Sequence, residues 1–223
     1  MPITRYYPIT TETTTPAIGP TGEQSAVLPT GTTVTSPVKR YAQLDTTKDT
    51  ANLQFFGSSG SFATTNITTR QTGFTGYGYY ELGAQTIPAG TWSVAVRGDQ
   101  SNAAANAFFC LSIYVWRPST STVVGRIYDS TTELSTELSS TLQSRLASVS
   151  GSSVVTANGD VLIVELWYSA TQGSSKSYNV EIVCDTDNKT DATADGQTGR
   201  DSWIDAPDTL VPKFSFSYGY FVD

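Results

Sequence analysis

Residues 107–117 read AFFCLSIYVWR, and this stretch decides the fold. Its odd positions, Phe109, Leu111, Ile113 and Val115, are all apolar. Its even positions, Phe108, Cys110, Ser112, Tyr114 and Trp116, mix rings with small or polar groups. Alternate side chains of a strand point to opposite faces, so one face belongs to a core and the other carries rings with polar tips. The loop PSTS at 118–121 and the run TVVGRIYD at 122–129 then predict a hairpin partner.

Similar runs lie on either side. GTWSVAVRG at 90–98 sets Trp92, Val94 and Val96 on one face. VLIVELWY at 161–168 is apolar at nearly every position, as in a central strand, and Asn158-Gly159-Asp160 before it signals a turn. SYNVEIVC at 177–184 alternates, with Tyr178, Val180, Ile182 and Cys184 inward. About eight to ten short strands, with no βαβ alternation and no fixed repeat, predict an all-β domain over residues 51–223. Its expected form is an antiparallel two-sheet sandwich, jelly-roll-like. One stretch departs from this. TELSTELSSTLQSRL at 132–146 spaces Leu134, Leu138, Leu142 and Leu146 four apart, which predicts a short surface helix or helical turn.

Residues 1–50 read differently. They hold six of the ten prolines and 14 threonines, with no sustained period. Prolines remove ladder donors and the apolar content is low, so an extended N-terminal arm is expected, docked through Tyr6, Tyr7, Ile18, Val27 and Leu28 or left as a tail. On this reading, a chain lacking residues 1–45 would still fold.

Charged residues make up only 15% of the chain against a usual quarter, and Thr, Ser and Gly take their place. Of the net charge of −7, −6 falls in residues 181–223. An acidic chain without a basic stripe does not suit phosphate backbones, so no nucleic-acid partner is expected. No apolar run is long enough to span a bilayer and MPITRYYPIT has no apolar leader core, so neither membrane insertion nor secretion is expected. Cys110 and Cys184 lie in separate strand-like runs, and either two buried thiols or a disulfide fits them.

The chain contains no histidine, which removes the usual general base and the Ser-His and Cys-His arrangements. Glu81, Glu133, Glu137 and Glu165 remain as candidate carboxylates, and only Glu165 sits in a strongly apolar strand. A lone strand glutamate is ordinarily paired, so no enzymatic activity and no cofactor are expected. The acidic run DTDNKTDATADGQTGRD at 185–201 fails calcium-loop spacing. Counted from Asp185, Lys189 and Thr190 fall at the fifth and sixth positions; counted from Asp191, Thr193 and Ser202 fall at the third and twelfth. No metal site is assigned, and an irregular cation site stays open. Arg97-Gly98-Asp99 matches an integrin-binding tripeptide, but a strand end followed by a turn explains it equally.

What remains is an aromatic signal of 25 rings. Tyr and Trp bury area at interfaces while keeping a polar tip satisfied. Candidate interface residues are Tyr6, Tyr7, Tyr114, Trp116, Tyr128, Phe214, Phe216, Tyr218 and Tyr220. Stacking on sugars is the rival use of the same rings.

The runs AGTW, AANAF, YVWRPST followed by VVGRIYDS, and GDVLIVELW, spread over residues 84–204, resemble a poorly characterised family of β-sandwich proteins encoded among the virion genes of tailed bacteriophages. The leucine-bearing stretch at 132–146 departs from that family, and residues 1–50 and the aromatic C-terminal run lie outside the match. The resemblance carries no catalytic residues. It implies a virion structural protein assembled in the host cytoplasm. Its place would be as a capsid decoration (cement) protein on the major capsid protein, or as a neck or tail component. A glycan- or receptor-binding β module at a tail tip is the alternative. Homo-oligomers are expected, a homotrimer being what threefold lattice positions suit.

Overall fold

The computed structural model describes residues 3–13, 33–35, 41–48, 71–129, 134, 136–170, 180–183 and 189–214. In these residues the chain is all-β, with a single 3₁₀ turn at Ala103–Ala105. The strands are β1 (Thr4–Thr13), β2 (Thr33–Thr35), β3 (Tyr41–Asp45), β4 (Gln71–Leu82), β5 (Gln85–Ile87), β6 (Gly90–Gln100), β7 (Ala107–Arg117), β8 (Thr122–Asp129), β9 (Gln143–Gly151), β10 (Val154–Thr156), β11 (Asp160–Ala170), β12 (Val180–Val183) and β13 (Trp203–Ala206). Eleven of them form one large sheet in the order β12-β6-β13-β1-β3-β4-β11-β7-β8, with β9 on β6 and β2 on β4. β5 and β10 make a small second sheet.

The alternation of residues 107–117 is realised in β7. Phe109, Leu111, Ile113 and Val115 lie in the main core with Leu162, Val164 and Leu166 of β11. Trp92, Val94 and Val96 of β6, Val149 of β9 and Ile204 of β13 meet them there. Each such side chain contributes roughly 1.5–3 kcal/mol when taken fully out of water. The even positions do not face water. Cys110 and Tyr114 join Val161 and Ile163 in a second buried cluster, with Tyr79, Trp116 and Val123 against it. β7 and residues 161–166 of β11 are therefore buried on both faces, which is why that run is apolar at nearly every position.

Three expectations are corrected. First, the large sheet is mixed, because β2 and β3 run parallel to β4. A parallel neighbour needs a long connection, and residues 46–70 between β3 and β4 supply the length. Second, the described parts of residues 1–50 are strands of the body rather than an arm. β1 pairs with β13 through Tyr6↔Ile204 and with β3 through Tyr7↔Asp45, and Tyr6 is 1% exposed. Ile18, Val27 and Leu28 lie outside the described residues. Third, the stretch at 132–146 is not helical where described. Its end is β9, and Leu134 and Leu138 donate backbone N–H groups to the carbonyls of Phe109 and Ala107. Leu138 enters the core and Leu134 packs on it, so the spacing of the leucines served an irregular strap.

Arg97-Gly98-Asp99 also lies within a strand rather than at its end. These residues pair with β12, and Arg97 and Gly98 pair with β9 on the other edge.

Two glycines are required by geometry. Gly159 holds φ +91° in the turn before β11, a conformation that side chains oppose. Gly151 lies under the Trp92 indole, where a Cβ would sit 2.6 Å from Trp92 Cδ1 and 2.7 Å from Ile127 Cγ2. Gly151→Ala is expected to lower stability by roughly 1–3 kcal/mol, read as a lower urea midpoint at unchanged slope. Deleting residues 1–45 removes β1 and β3 and the Tyr6 side chain from the core. The truncated chain is expected to lose cooperative unfolding by circular dichroism, and a sharp, native-like melt would contradict the sheet order.

Candidate functional site: a charged clasp

β1 sets one end of a cluster of charged and polar side chains. Tyr6 points into the core, so Arg5 and Tyr7 point to the other face. Asp205 of β13 sits directly across from Arg5 in the ladder. The two side chains make a bidentate pair, with Nε and Nη2 donating at 2.7 Å each. Arg5 Nη1 donates to Asp191 Oδ2 at 2.8 Å, and its guanidinium lies 3.8 Å from the Trp203 ring centre. Tyr7 donates its hydroxyl to the same Asp191 oxygen at 3.0 Å.

Lys48 arrives from the turn after β3, where Thr47 N–H donates to Asp45 Oδ1. Its Nζ donates to Asp201 Oδ2 at 2.6 Å and to the Lys189 carbonyl at 2.5 Å. It also stands 2.6 Å from Asp191 Oδ1 as an ion pair. Asp191 and Asp201 are brought side by side by a parallel bridge, with Ala192 N–H donating to the Asp201 carbonyl. Two cations and three carboxylates thus tie β1, the end of β3 and the segment 189–205 together.

Burial pushes the Asp191 carboxyl up, but hydrogen bonds from Lys48, Arg5 and Tyr7 outweigh it and hold it below its ordinary 3.8. Burial pulls Lys48 down, and Asp191 and Asp201 more than restore it. The acidic loop is accounted for in the same way. Asp195 accepts from Leu146 N–H at 2.7 Å and from Thr136, which fixes the loop to the edge of β9. The described carboxylates of 189–201 therefore meet the chain's own donors, and among the described residues no group of acids or cysteines is placed to hold a metal.

Two of the strand motifs pair with one another. Arg117 of YVWR makes a bidentate pair with Asp160 of GDVL, both bonds 2.7 Å, and Ala157 N–H donates to the same carboxylate. Burial raises the Asp160 carboxyl, and those bonds outweigh it. Tyr114 donates to Glu165 Oε1 at 2.7 Å inside the second cluster. Glu165 is thus held as a buried structural acceptor.

The candidate interface rings divide. Tyr6 is buried in the chain's own core, packs edge-on against Tyr80, and accepts from Leu210 N–H; burial pushes its hydroxyl up to about 12. Tyr114 is fully buried as well. Neither offers ring surface to a partner, because the core and the second cluster consume it. Tyr7 and Trp116 are half-buried, and Tyr128 packs on the main core. Phe214 is 59% exposed, and Phe216, Tyr218 and Tyr220 lie outside the described residues. Cys110 is in the second cluster and Cys184 is outside the described residues. The clasp itself was not legible in the sequence. Its only signal was the concentration of acid in residues 181–223 facing unassigned cations at Arg5 and Lys48.

Comparison of the chain with family models, with curated proteins and with solved structures found no match.

A carboxyl whose folded pKa is depressed stabilises fully above its unfolded value, and the contribution is lost as pH falls through the folded one. For Asp191 and Asp160 that window opens at about 3.8 and extends below it. The melting temperature is expected to hold from pH 7 to about 5 and to fall steeply below pH 4, with a shallower fall in Asp191→Asn. An identical acid limb in the variant would show that the clasp does not set acid stability.

Proposed function

We propose that this chain is a non-enzymatic structural protein of a tailed-phage particle, in first place a decoration protein bound to the major capsid protein. The single observation that carries the reading is what the resembling motifs do. AGTW supplies Trp92 to the core, YVWR and GDVL supply the Arg117–Asp160 pair, and Tyr114 meets Glu165. These residues maintain a scaffold. A body buried on both faces of its central strands, with its N-terminal strand locked across it, suits a part that must persist rather than turn over. The jelly-roll-like sandwich belongs to this proposal. Its support is that β6, β9 and β13 share one core with β4, β7 and β11.

Homo-oligomerisation, with a trimer as the assembly suited to threefold lattice positions, is part of the same proposal. The test is the copy number of the chain in purified particles, by quantitative mass spectrometry against the major capsid protein. A ratio near one to one or one to three is expected. A ratio below about one to thirty would place the chain at the neck or tail, where glycan or receptor binding becomes the leading reading, and absence from particles would defeat the structural role.

A further inference from the structure

Lys48 is held unlike the other lysine whose ion pair is described. Lys213 meets Glu81 in water, the two side chains being 40% and 46% exposed. Lys48 meets Asp201, whose side chain is fully buried, at 2.6 Å, with a second carboxylate at the same distance from Nζ. The Tyr7 ring lies 5.1 Å from Nζ on one side. Asp201 is further fixed by the Lys189 N–H at 3.2 Å on its other oxygen. A primary amine, a water-shielded carboxyl and a second carboxyl touching the amine are the components of amide formation. Residues 48 and 201 lie 153 positions apart, so a bond between them would close most of the chain into a ring.

We propose that Lys48 and Asp201 join in an intramolecular isopeptide bond, with Asp191 as the proton carrier. Asp201 Oδ2 takes one proton from the Lys48 ammonium, which frees the nitrogen lone pair and makes the carboxyl an electrophile. The amine attacks Asp201 Cγ, a Cγ–N bond forms and a Cγ–O bond breaks. The leaving oxygen departs as water with two of the three ammonium protons, the second passed to it from the nitrogen through Asp191. The third stays on the amide nitrogen. The site's charge is the same before and after, and no oxidant or reductant takes part. Two features favour the reaction over a lasting ion pair. The fold holds amine and carboxyl in contact, which replaces a bimolecular encounter by an intramolecular one. Burial penalises the charged pair relative to a neutral amide. Arg5, bound to the far oxygen of Asp191, keeps that carboxyl aimed at Nζ. The bond does not rest on the virion reading and stands or falls separately from it.

The experiment is intact-mass spectrometry of the full chain, denatured after long incubation in the folded state. The expected mass is one water below that of the sequence, with a branched proteolytic peptide joining the segments around Lys48 and Asp201. Lys48→Arg keeps a cation in the clasp but removes the amine nucleophile, and it is expected at full mass while still folding by circular dichroism. Asp191→Asn is expected at full mass, or to lose water far more slowly. A wild-type chain at full mass overturns the proposal and leaves the triad an ion-pair clasp. Water loss that persists in Lys48→Arg overturns it too, since the loss would then arise elsewhere. Water loss at the wild-type rate in Asp191→Asn overturns the role of the proton carrier.

Discussion

β1 joins the two halves of the sheet, and the rest of the structure depends on that strand. Residues 4–6 pair with β13, which lies beside β6, while residues 7–13 pair with β3, which leads to β4, β11, β7 and β8. One strand therefore carries the ladder from the β13 side of the large sheet to its β3 side. Its side chains serve both tasks at once. Tyr6 goes inward and holds Leu210, and Arg5 and Tyr7 go outward and hold Asp205 and Asp191. The alternation of a strand makes this possible, because adjacent residues face opposite ways without any change in backbone.

The clasp is physically different from a surface ion pair. An exposed Lys–carboxylate pair is worth about 0–1 kcal/mol, since water and side-chain entropy cancel most of the attraction. Here Asp201 is fully buried, Arg5 is bidentate to Asp205, and Asp191 receives three donors. Breaking one partner would leave a buried charge exposed to the cost of desolvation, so the members stand together. Three of the nine acids of residues 181–223, namely Asp191, Asp201 and Asp205, are met in this way by Lys48 and Arg5 from the opposite end of the sequence.

The second buried cluster gives the central strands their unusual composition. A strand that packs one face on a core ordinarily shows a polar face opposite. β7 and β11 instead bury Cys110, Tyr114, Val161 and Ile163 opposite the core face, and the polar groups among them are tied, as Tyr114 to Glu165. Of the rings on the β7–β8 hairpin, Phe109 and Tyr114 are fully buried within the chain, while Trp116 and Tyr128 pack on the two clusters and stay partly exposed. YVWR and GDVL likewise supply partners to one another, as Arg117 to Asp160.

Local pattern determined the strands themselves. Period-two alternation at 107–117, the continuous apolar run at 161–168 and the Asn-Gly turn at 158–159 were all legible, because side-chain alternation and turn geometry depend only on near neighbours. The leucines at 132–146 misled because spacing of four fits a helix as well as a strap whose backbone bonds go to β7. Residues 4–13 and 41–45 looked like an arm because Thr and Pro give weak local signals, yet pairing with β13 and β4 makes them strands. Partners from residues 5, 48, 191, 201 and 205 meet only when the sheet order is complete. Sequence alone therefore determined the all-β class and the main strands, through interactions between near neighbours. Tertiary structure alone decided the parallel strands, the burial of Tyr6 and Tyr114 and the clasp, because each depends on contacts between residues far apart in the chain.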